Sequence, residues 1–198
     1  MKNIILFVVC LLSTSMMAQN AINLTPRAKS VTVNDGKVVL PQTMTVCYGN
    51  LPDEMGVEAA RFASDIKAAA GIRAVATSAT DGFVRMMLDT TKGEEGYALN
   101  ITSEGIEIKA KTNKGFFYAF QTIKKMLPAN VMAHKYDARQ TYSLPCVSIE
   151  DEPRFGYRGF MLDVSRHFFT VEELKRIIDI MAAYKMNVFH WQIGRAHV

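Results

Sequence analysis

The chain has 198 residues, of which 49% are hydrophobic and 21% are charged, a composition typical of one or two folded globular domains. The formal net charge of +4 is small and spread along the chain. No basic run with interleaved aromatic residues occurs, so a nucleic acid is not an expected partner.

The first 18 residues predict a secretory signal rather than a part of the fold. Lys2 gives a short positive start, residues 4–12 form an apolar run too short to cross a bilayer, and small residues lead up to Ala18. We therefore expect cleavage after Ala18 and export to a bacterial periplasm or medium, with no membrane span. Cys10 follows Val9, where a lipoprotein signal needs a small residue, so soluble export is favoured over lipid anchoring.

Only Cys47 and Cys146 would survive that cleavage. Export implies an oxidising compartment, in which the two thiols could pair. Two cysteines in a chain of this apolar content are more often small buried hydrophobic residues. The sequence leaves both interpretations open.

Strand patterns dominate residues 21–150. Residues 30–40 alternate in polarity around Asn34-Asp-Gly36, a strong signal for a hairpin turn. A second hairpin is predicted across residues 102–104. Further strand patterns cover residues 44–48, 83–88 and 144–149.

Two helices are predicted within the same segment. The first begins at Asp53, a possible N-cap, and stops at Gly71; the second covers residues 113–127 and ends at Pro128. Because the hairpin signals favour antiparallel pairing, residues 21–150 predict a two-layer α/β domain, with two helices on one face of a mostly antiparallel sheet.

A strand, a helix and a second strand are predicted over residues 157–191. Thr170 and Glu173 are spaced as a capping box at the start of the helix, and apolar residues then recur at helical spacing. Such a βαβ unit has parallel strands and a right-handed crossover. The charged residues 150–153 mark the break before it, so the fold class is α+β.

Few side chains demand a chemical role. Asp163 and His167 could form a metal or acid–base pair, but a hydrogen bond that closes the loop is the favoured interpretation. No further cluster has the spacing of metal ligands, so no metal and no cofactor are expected. Asp151 and Glu152 are interpreted as a solvated linker, because neighbours on an extended chain point in opposite directions.

Arg158 stands on a strand whose other residues are mostly apolar. Five N–H donors are costly to leave unpaired, so Arg158 needs an anionic or hydroxyl-rich partner. That partner is either a ligand or an internal carboxylate such as Asp163, and the residues alone do not decide between them.

The string Arg158-Gly-x-x-x-Asp-x-Ser-Arg-His167, followed after a helix by Asn187-Val-Phe-His-Trp191, resembles the start of the catalytic barrel of glycoside hydrolase family 20, the β-N-acetylhexosaminidases. Residues 115–127 are similar to the last helix of the small α/β domain that precedes this barrel in the family. The resemblance implies that residues 155–191 are the first βαβ unit of a (β/α)₈ barrel, truncated here.

The resemblance also implies an exo-acting enzyme that removes terminal GlcNAc or GalNAc from glycans with retention. In the family the substrate's own acetamido oxygen attacks, while an adjacent Asp-Glu pair orients it and supplies the general acid and base. Arg158 matches the arginine that holds the 3- and 4-hydroxyls of the terminal sugar. That match leaves one tension, because barrel sites draw on the ends of strands and Arg158 lies early in its strand.

The sequence departs from the family after Trp191. Residues 192–198 resemble the translation of a sequencing adapter and are interpreted as a non-native tail. The catalytic Asp-Glu pair is missing, so we expect no catalytic residue in this chain and no activity from it as it stands. The alternative is a non-catalytic carbohydrate-binding or structural module. We also expect residues 21–150 to fold alone and residues 155–191 to be mobile or prone to aggregation, because two barrel strands leave unpaired edges.

Overall fold

The computed structural model describes residues 22–194, which contain nine strands and four helices. In chain order these are β1 (Ser30–Val39), β2 (Thr43–Cys47), α1 (Asp53–Ala70), β3 (Arg73–Thr77), β4 (Val84–Leu88), β5 (Tyr97–Thr102), β6 (Gly105–Ala110), α2 (Asn113–Met126), α3 (Ala129–Met132), β7 (Ser143–Asp151), β8 (Gly159–Asp163), α4 (Val171–Ala183) and β9 (Val188–Gln192). The predicted signal and residues 195–198 of the predicted tail lie outside the described residues.

The first seven strands form one mixed sheet in the order β1-β7-β5-β6-β4-β2-β3. On one side the pairs β1–β7, β7–β5 and β5–β6 are antiparallel. On the other the pairs β6–β4, β4–β2 and β2–β3 are parallel. The prediction of a mostly antiparallel sheet was therefore wrong. It missed β3, whose two alanines weaken the strand pattern, and with it the β2-α1-β3 crossover.

Both long helices pack on one face of this sheet, and Phe62 of α1 stacks on Phe120 of α2 with ring centroids 4.5 Å apart. Strand β6 shows the division of the faces, because Ile106 and Ile108 are buried while Glu107 between them is partly exposed. Ten-residue β1 is mostly exposed at the edge. The predicted two-layer arrangement of helices on a sheet is therefore present.

Helix α1 ends as predicted at Gly71, which has φ of 66° and donates its N–H to the carbonyl of Lys67. Its start differs from the prediction, because Pro52 occupies the N-cap position and makes no side-chain hydrogen bond. Asp53 is the first helical residue instead, where its negative charge is favourable at the positive end of the helix dipole.

Strand β1 runs straight through the predicted Asn34-Asp-Gly36 turn. Both of its halves pair with β7, with Val33 opposite Val147 and Lys37 opposite Pro145. Three residues of β1 therefore face one residue of β7, which is a bulge rather than a hairpin. Gly36, with φ of 97°, supplies the left-handed backbone that the bulge needs.

Cys47 and Cys146 are both buried and unpaired. They lie on β2 and β7, four strand spacings apart in the sheet order. At about 4.8 Å per spacing this separates them by about 19 Å, far beyond the reach of a disulfide. The interpretation of both as small buried hydrophobic residues is confirmed.

Strands β8 and β9 pair in parallel, from Gly159 opposite Val188 to Asp163 opposite Gln192, and α4 connects them. The predicted capping box is present, since the Thr170 hydroxyl accepts from the Glu173 N–H and the Glu173 carboxylate accepts from the Thr170 N–H. Strand β9 includes Gln192, the first residue of the predicted tail. None of the helices in residues 22–194 combines the length and hydropathy that a bilayer crossing requires.

Candidate functional site

Two groups of polar side chains lie at opposite ends of the parallel β8–β9 pair. The carboxyl ends of parallel strands are where α/β proteins build ligand sites, and Asp163 closes β8 at that end. Arg158 directly precedes β8, at the amino end. The β8–β9 pair therefore separates the two groups by the length of a five-residue strand.

The carboxyl-end group is organised by Asp163. Its Oδ1 accepts from the N–H of Ser165 at 3.0 Å and from the hydroxyl at 2.6 Å. Its Oδ2 lies 2.7 Å from Nε of Arg166, whose side chain is 85% exposed. Hydrogen bonds from Ser165 lower the pKa of Asp163, and the nearby Arg166 charge adds to the effect.

Asp163 and His167 do not form a pair. The imidazole instead packs against Phe169, with ring centroids 5.0 Å apart. The favoured interpretation of a loop-closing hydrogen bond between Asp163 and His167 was therefore wrong, because Ser165 closes the loop on Asp163 instead. Within residues 22–194 no three His, Cys, Asp or Glu side chains gather as metal ligands would.

At the amino end, Arg158 turns away from β8 and toward the seven-stranded domain. One terminal nitrogen donates to Oε2 of Glu95 at 2.9 Å, and the other donates to the Tyr118 hydroxyl at 2.9 Å. The guanidinium also donates to two backbone carbonyls, that of Lys185 from Nε and that of Phe155, each at 2.6 Å. Most of its donors are therefore used within the protein.

The Arg158–Glu95 pair is largely buried, with the side chains 16% and 18% exposed. Burial alone would raise the pKa of Glu95, but the hydrogen bond and charge of Arg158 outweigh it and leave the pKa lowered. Burial raises the pKa of Tyr118, and the adjacent Glu95 charge raises it further. Of the two partners considered from the sequence, the internal carboxylate is present, but it is Glu95 and not Asp163.

A second ion pair lies beside the first. Lys185 Nζ donates to Oδ2 of Asp151 at 2.6 Å and to the Tyr97 hydroxyl at 2.9 Å, with the ion-pair side chains only 7% and 10% exposed. The interpretation of Asp151 as part of a solvated linker was wrong, because the end of β7 turns this side chain inward while Glu152 stays exposed. Burial lowers the pKa of Lys185, and Asp151 opposes this.

No local sequence pattern pointed to Glu95, Tyr97 or Lys185 as site residues. Glu95 lies in a turn that reads as solvated, and Lys185 looks like an ordinary basic residue in the last turn of a helix. Glu95 is 63 residues from Arg158, Lys185 is 34 residues from Asp151, and Tyr97 is 88 residues from Lys185, so no local spacing could have identified them.

Comparison with family models and known proteins identifies matches for both parts of the chain. The model of glycosyl hydrolase family 20, domain 2, matches residues 21–152, and the model of that family's catalytic domain matches residues 155–197. The chain is similar to a beta-hexosaminidase of Porphyromonas gingivalis, with 34% identity over 93% of this chain and 25% of the relative.

Solved structures show the same likeness. The beta-N-acetylhexosaminidase of Streptomyces coelicolor superimposes with a TM-score of 0.77 at 33% identity, over 86% of this chain and 34% of that one. An exo beta-N-acetylglucosaminidase of Vibrio harveyi, solved with N-acetylglucosamine, gives a TM-score of 0.69 at 30% identity over 85% and 25%. The chain thus spans about a quarter to a third of the length of these proteins.

Proposed function

Because the chain belongs to glycosyl hydrolase family 20, we propose that it is the N-terminal portion of an exported β-N-acetylhexosaminidase. The substrates would be glycans with a terminal GlcNAc or GalNAc, removed one residue at a time. The mechanism would be retaining, with the substrate's acetamido oxygen as nucleophile. The observation that carries the proposal is the match of two consecutive domain models of one family along the chain.

The parallel β8-α4-β9 unit supports an assignment as the start of the catalytic barrel. A (β/α)₈ barrel is built from repeated strand–helix units of this kind, and its site opens at the carboxyl ends of the strands. In such a barrel the loop after β8, which carries Arg166 and His167, would face the substrate.

The geometry supports Arg166, in place of Arg158, as the arginine that meets the sugar hydroxyls. Arg158 lies at the amino end of β8 and donates hydrogen bonds to Glu95, Tyr118 and backbone carbonyls. Arg166 follows the carboxyl end, and within residues 22–194 its one charged partner is Asp163. A forked, exposed guanidinium oriented by a carboxylate suits paired hydroxyls. The prediction for Arg158 thus competes with this proposal.

The chain itself would be inactive. Its two Asp-Glu dipeptides are at 53–54 and 151–152. The first begins α1 in the seven-stranded domain, and Asp151 of the second is held by Lys185. Neither dipeptide lies at the carboxyl end of β8 or β9, the proposed barrel strands. The reaction would need the pair at the carboxyl end of a barrel strand.

The test is hydrolysis of a chromogenic N-acetyl-β-glucosaminide. We expect the purified chain to give no rate above buffer, and the product of a longer reading frame with an Asp-Glu pair on a later strand to give turnover. That product should spare the matching β-glucoside, which lacks the acetamido nucleophile. Turnover by the present chain, or equal cleavage of the glucoside, would contradict the assigned mechanism.

The same longer product separates two arginine roles. Arg166→Lys is expected to raise KM strongly, because a lysine cannot bind two hydroxyls in a fork. Arg158→Lys is expected to change stability more than KM. The reverse pattern would restore Arg158 as the sugar-binding residue.

A longer product that binds GlcNAc without hydrolysing it would favour the alternative of a non-catalytic carbohydrate-binding module.

A further inference from the structure

The turn after α4 has an unusual residue at its left-handed position. Lys185 has φ of 57°, and its N–H donates to the Ala182 carbonyl while the Met186 N–H donates to the Met181 carbonyl. This is the Schellman pattern, in which the left-handed position is most often glycine. A lysine there is less favourable for the backbone than glycine, so its side chain is expected to have a compensating role.

That side chain enters a polar recess in the seven-stranded domain. The ammonium meets the Asp151 carboxylate at the end of β7 and the Tyr97 hydroxyl at the start of β5. Tyr97 is in turn hydrogen-bonded to Thr122 of α2 at 2.6 Å. Strands β5 and β7 of the seven-stranded domain therefore bind the ammonium directly, and α2 holds Tyr97 in place.

Arg158 ties the same turn from its other side. It donates to the Lys185 carbonyl, and its own backbone N–H donates to the Asn187 side chain at 3.0 Å. The Asn187 N–H donates back to the Arg158 carbonyl at 3.0 Å. Since Arg158 also holds Glu95 and Tyr118, both charged groups join the amino ends of β8 and β9 to the seven-stranded domain.

We propose that Lys185–Asp151 and Arg158–Glu95 together act as an interdomain clamp, which positions the β8-α4-β9 unit on the seven-stranded domain. The clamp residues are positioning residues: they hold the amino ends of the strands, and the rigid parallel pair then fixes where the carboxyl ends lie. This goes beyond the proposed function, and its test needs no turnover. It competes with the expectation that residues 155–191 are mobile or prone to aggregation.

Hydrogen–deuterium exchange of the purified chain, resolved to peptides, tests the clamp. In Lys185→Met and in Asp151→Asn we expect the amides of β8 and β9 to exchange at least tenfold faster, while those of β4 and β6 keep their rates. Lys109→Met is the matched control, because it removes a lysine from a half-exposed ion pair with Glu107 on β6. It should leave β8 and β9 unchanged.

Two outcomes overturn the proposal. Unchanged exchange in β8 and β9 would mean that the pairs do not hold the unit. Equal acceleration in all strands would mean that Lys185 only stabilises the seven-stranded core. If Lys185→Met does not fold, Glu95→Gln in the more accessible pair still decides the matter: we expect acceleration of threefold or more confined to β8 and β9, and its absence counts against the clamp.

Discussion

The guanidinium of Arg158 and the carboxylate of Glu95 lie 2.9 Å apart although 63 residues separate them in the chain. Glu95 belongs to the turn before β5, and Arg158 directly precedes β8, so this contact joins the two parts of the molecule. Tyr118 and Asn187 also bind Glu95, at 3.3 and 3.4 Å. Glu95 is therefore an acceptor shared by three donors.

Replacing Glu95 by glutamine should make stability less dependent on pH. The pKa of Glu95 is lowered in the folded protein from an ordinary 4.5, so the unfolded chain binds more protons between the two values. Stability from Glu95 is thus fully present above about pH 4.5 and is lost as the pH falls through the folded-state pKa. We expect Glu95→Gln to cost about 1–2 kcal/mol at pH 7 and progressively less below pH 4.

Urea unfolding of both proteins from pH 3 to pH 7 measures this difference. Glu104→Gln, in the exposed β5–β6 turn, is the control and should track the parent at every pH. A gap between Glu95→Gln and the parent that stays constant over the whole range would show that the carboxylate charge is not what Arg158 requires.

Lys185→Gly separates backbone preference from the buried charge. Glycine should favour the left-handed turn by about 1 kcal/mol, but it leaves Asp151 buried without its cation, which typically costs about 3–5 kcal/mol. We expect a net loss of at least about 2 kcal/mol in chemical unfolding. Adding Asp151→Asn to Lys185→Gly should recover part of that loss, and a stabilised Lys185→Gly variant would mean that the turn, not the ion pair, governs this position.

Gly36→Ala should destabilise the edge of the sheet. Its φ of 97° is unfavourable for alanine, and the nearest atom to an added Cβ would be Cys146 Sγ at an ordinary 3.6 Å, so the cost is conformational rather than steric. We expect about 1–2 kcal/mol. Gly156→Ala is the matched control, since no atom lies within 4 Å of an added Cβ there and its φ is not left-handed. Equal thermal midpoints for the two variants would argue against the bulge.

Thr170→Ala removes the N-cap of α4. The Thr170 hydroxyl accepts from the Glu173 N–H at 3.2 Å, and loss of such a cap usually costs about 1 kcal/mol. Amide exchange in the first turn of α4 should rise about fivefold. Thr170→Ser keeps the hydroxyl and should retain parental protection; if serine behaves like alanine, the hydroxyl does not cap the helix.

Local signals predicted α4, β8 and β9 well. The Thr170–Glu173 capping box, the hairpin between β5 and β6 and the stop of α2 before Pro128 all arise from neighbours a few residues apart. Such short-range chemistry can be read from the order of residues alone.

Contacts between residues far apart in the sequence determine the features that local signals did not predict. Asn34-Asp-Gly36 has the chemistry of a hairpin turn, but β7 was available to pair with both halves of β1, so the same residues form a bulge. The partner of Arg158 could not be chosen from sequence, because the competing acids Glu95 and Asp163 differ only in where the fold brings them. Asp151 appeared solvated for the same reason.

The lysine-ended turn limits how this protein can be recombined with its relatives. A chimera that joins residues 155–194 to a different small domain would bring a buried ammonium to a surface with no anion to receive it, unless that domain also ends its last strand in a carboxylate beside a tyrosine. Crossovers placed at residues 152–154 should therefore give folded products only between parents that share this carboxylate and tyrosine.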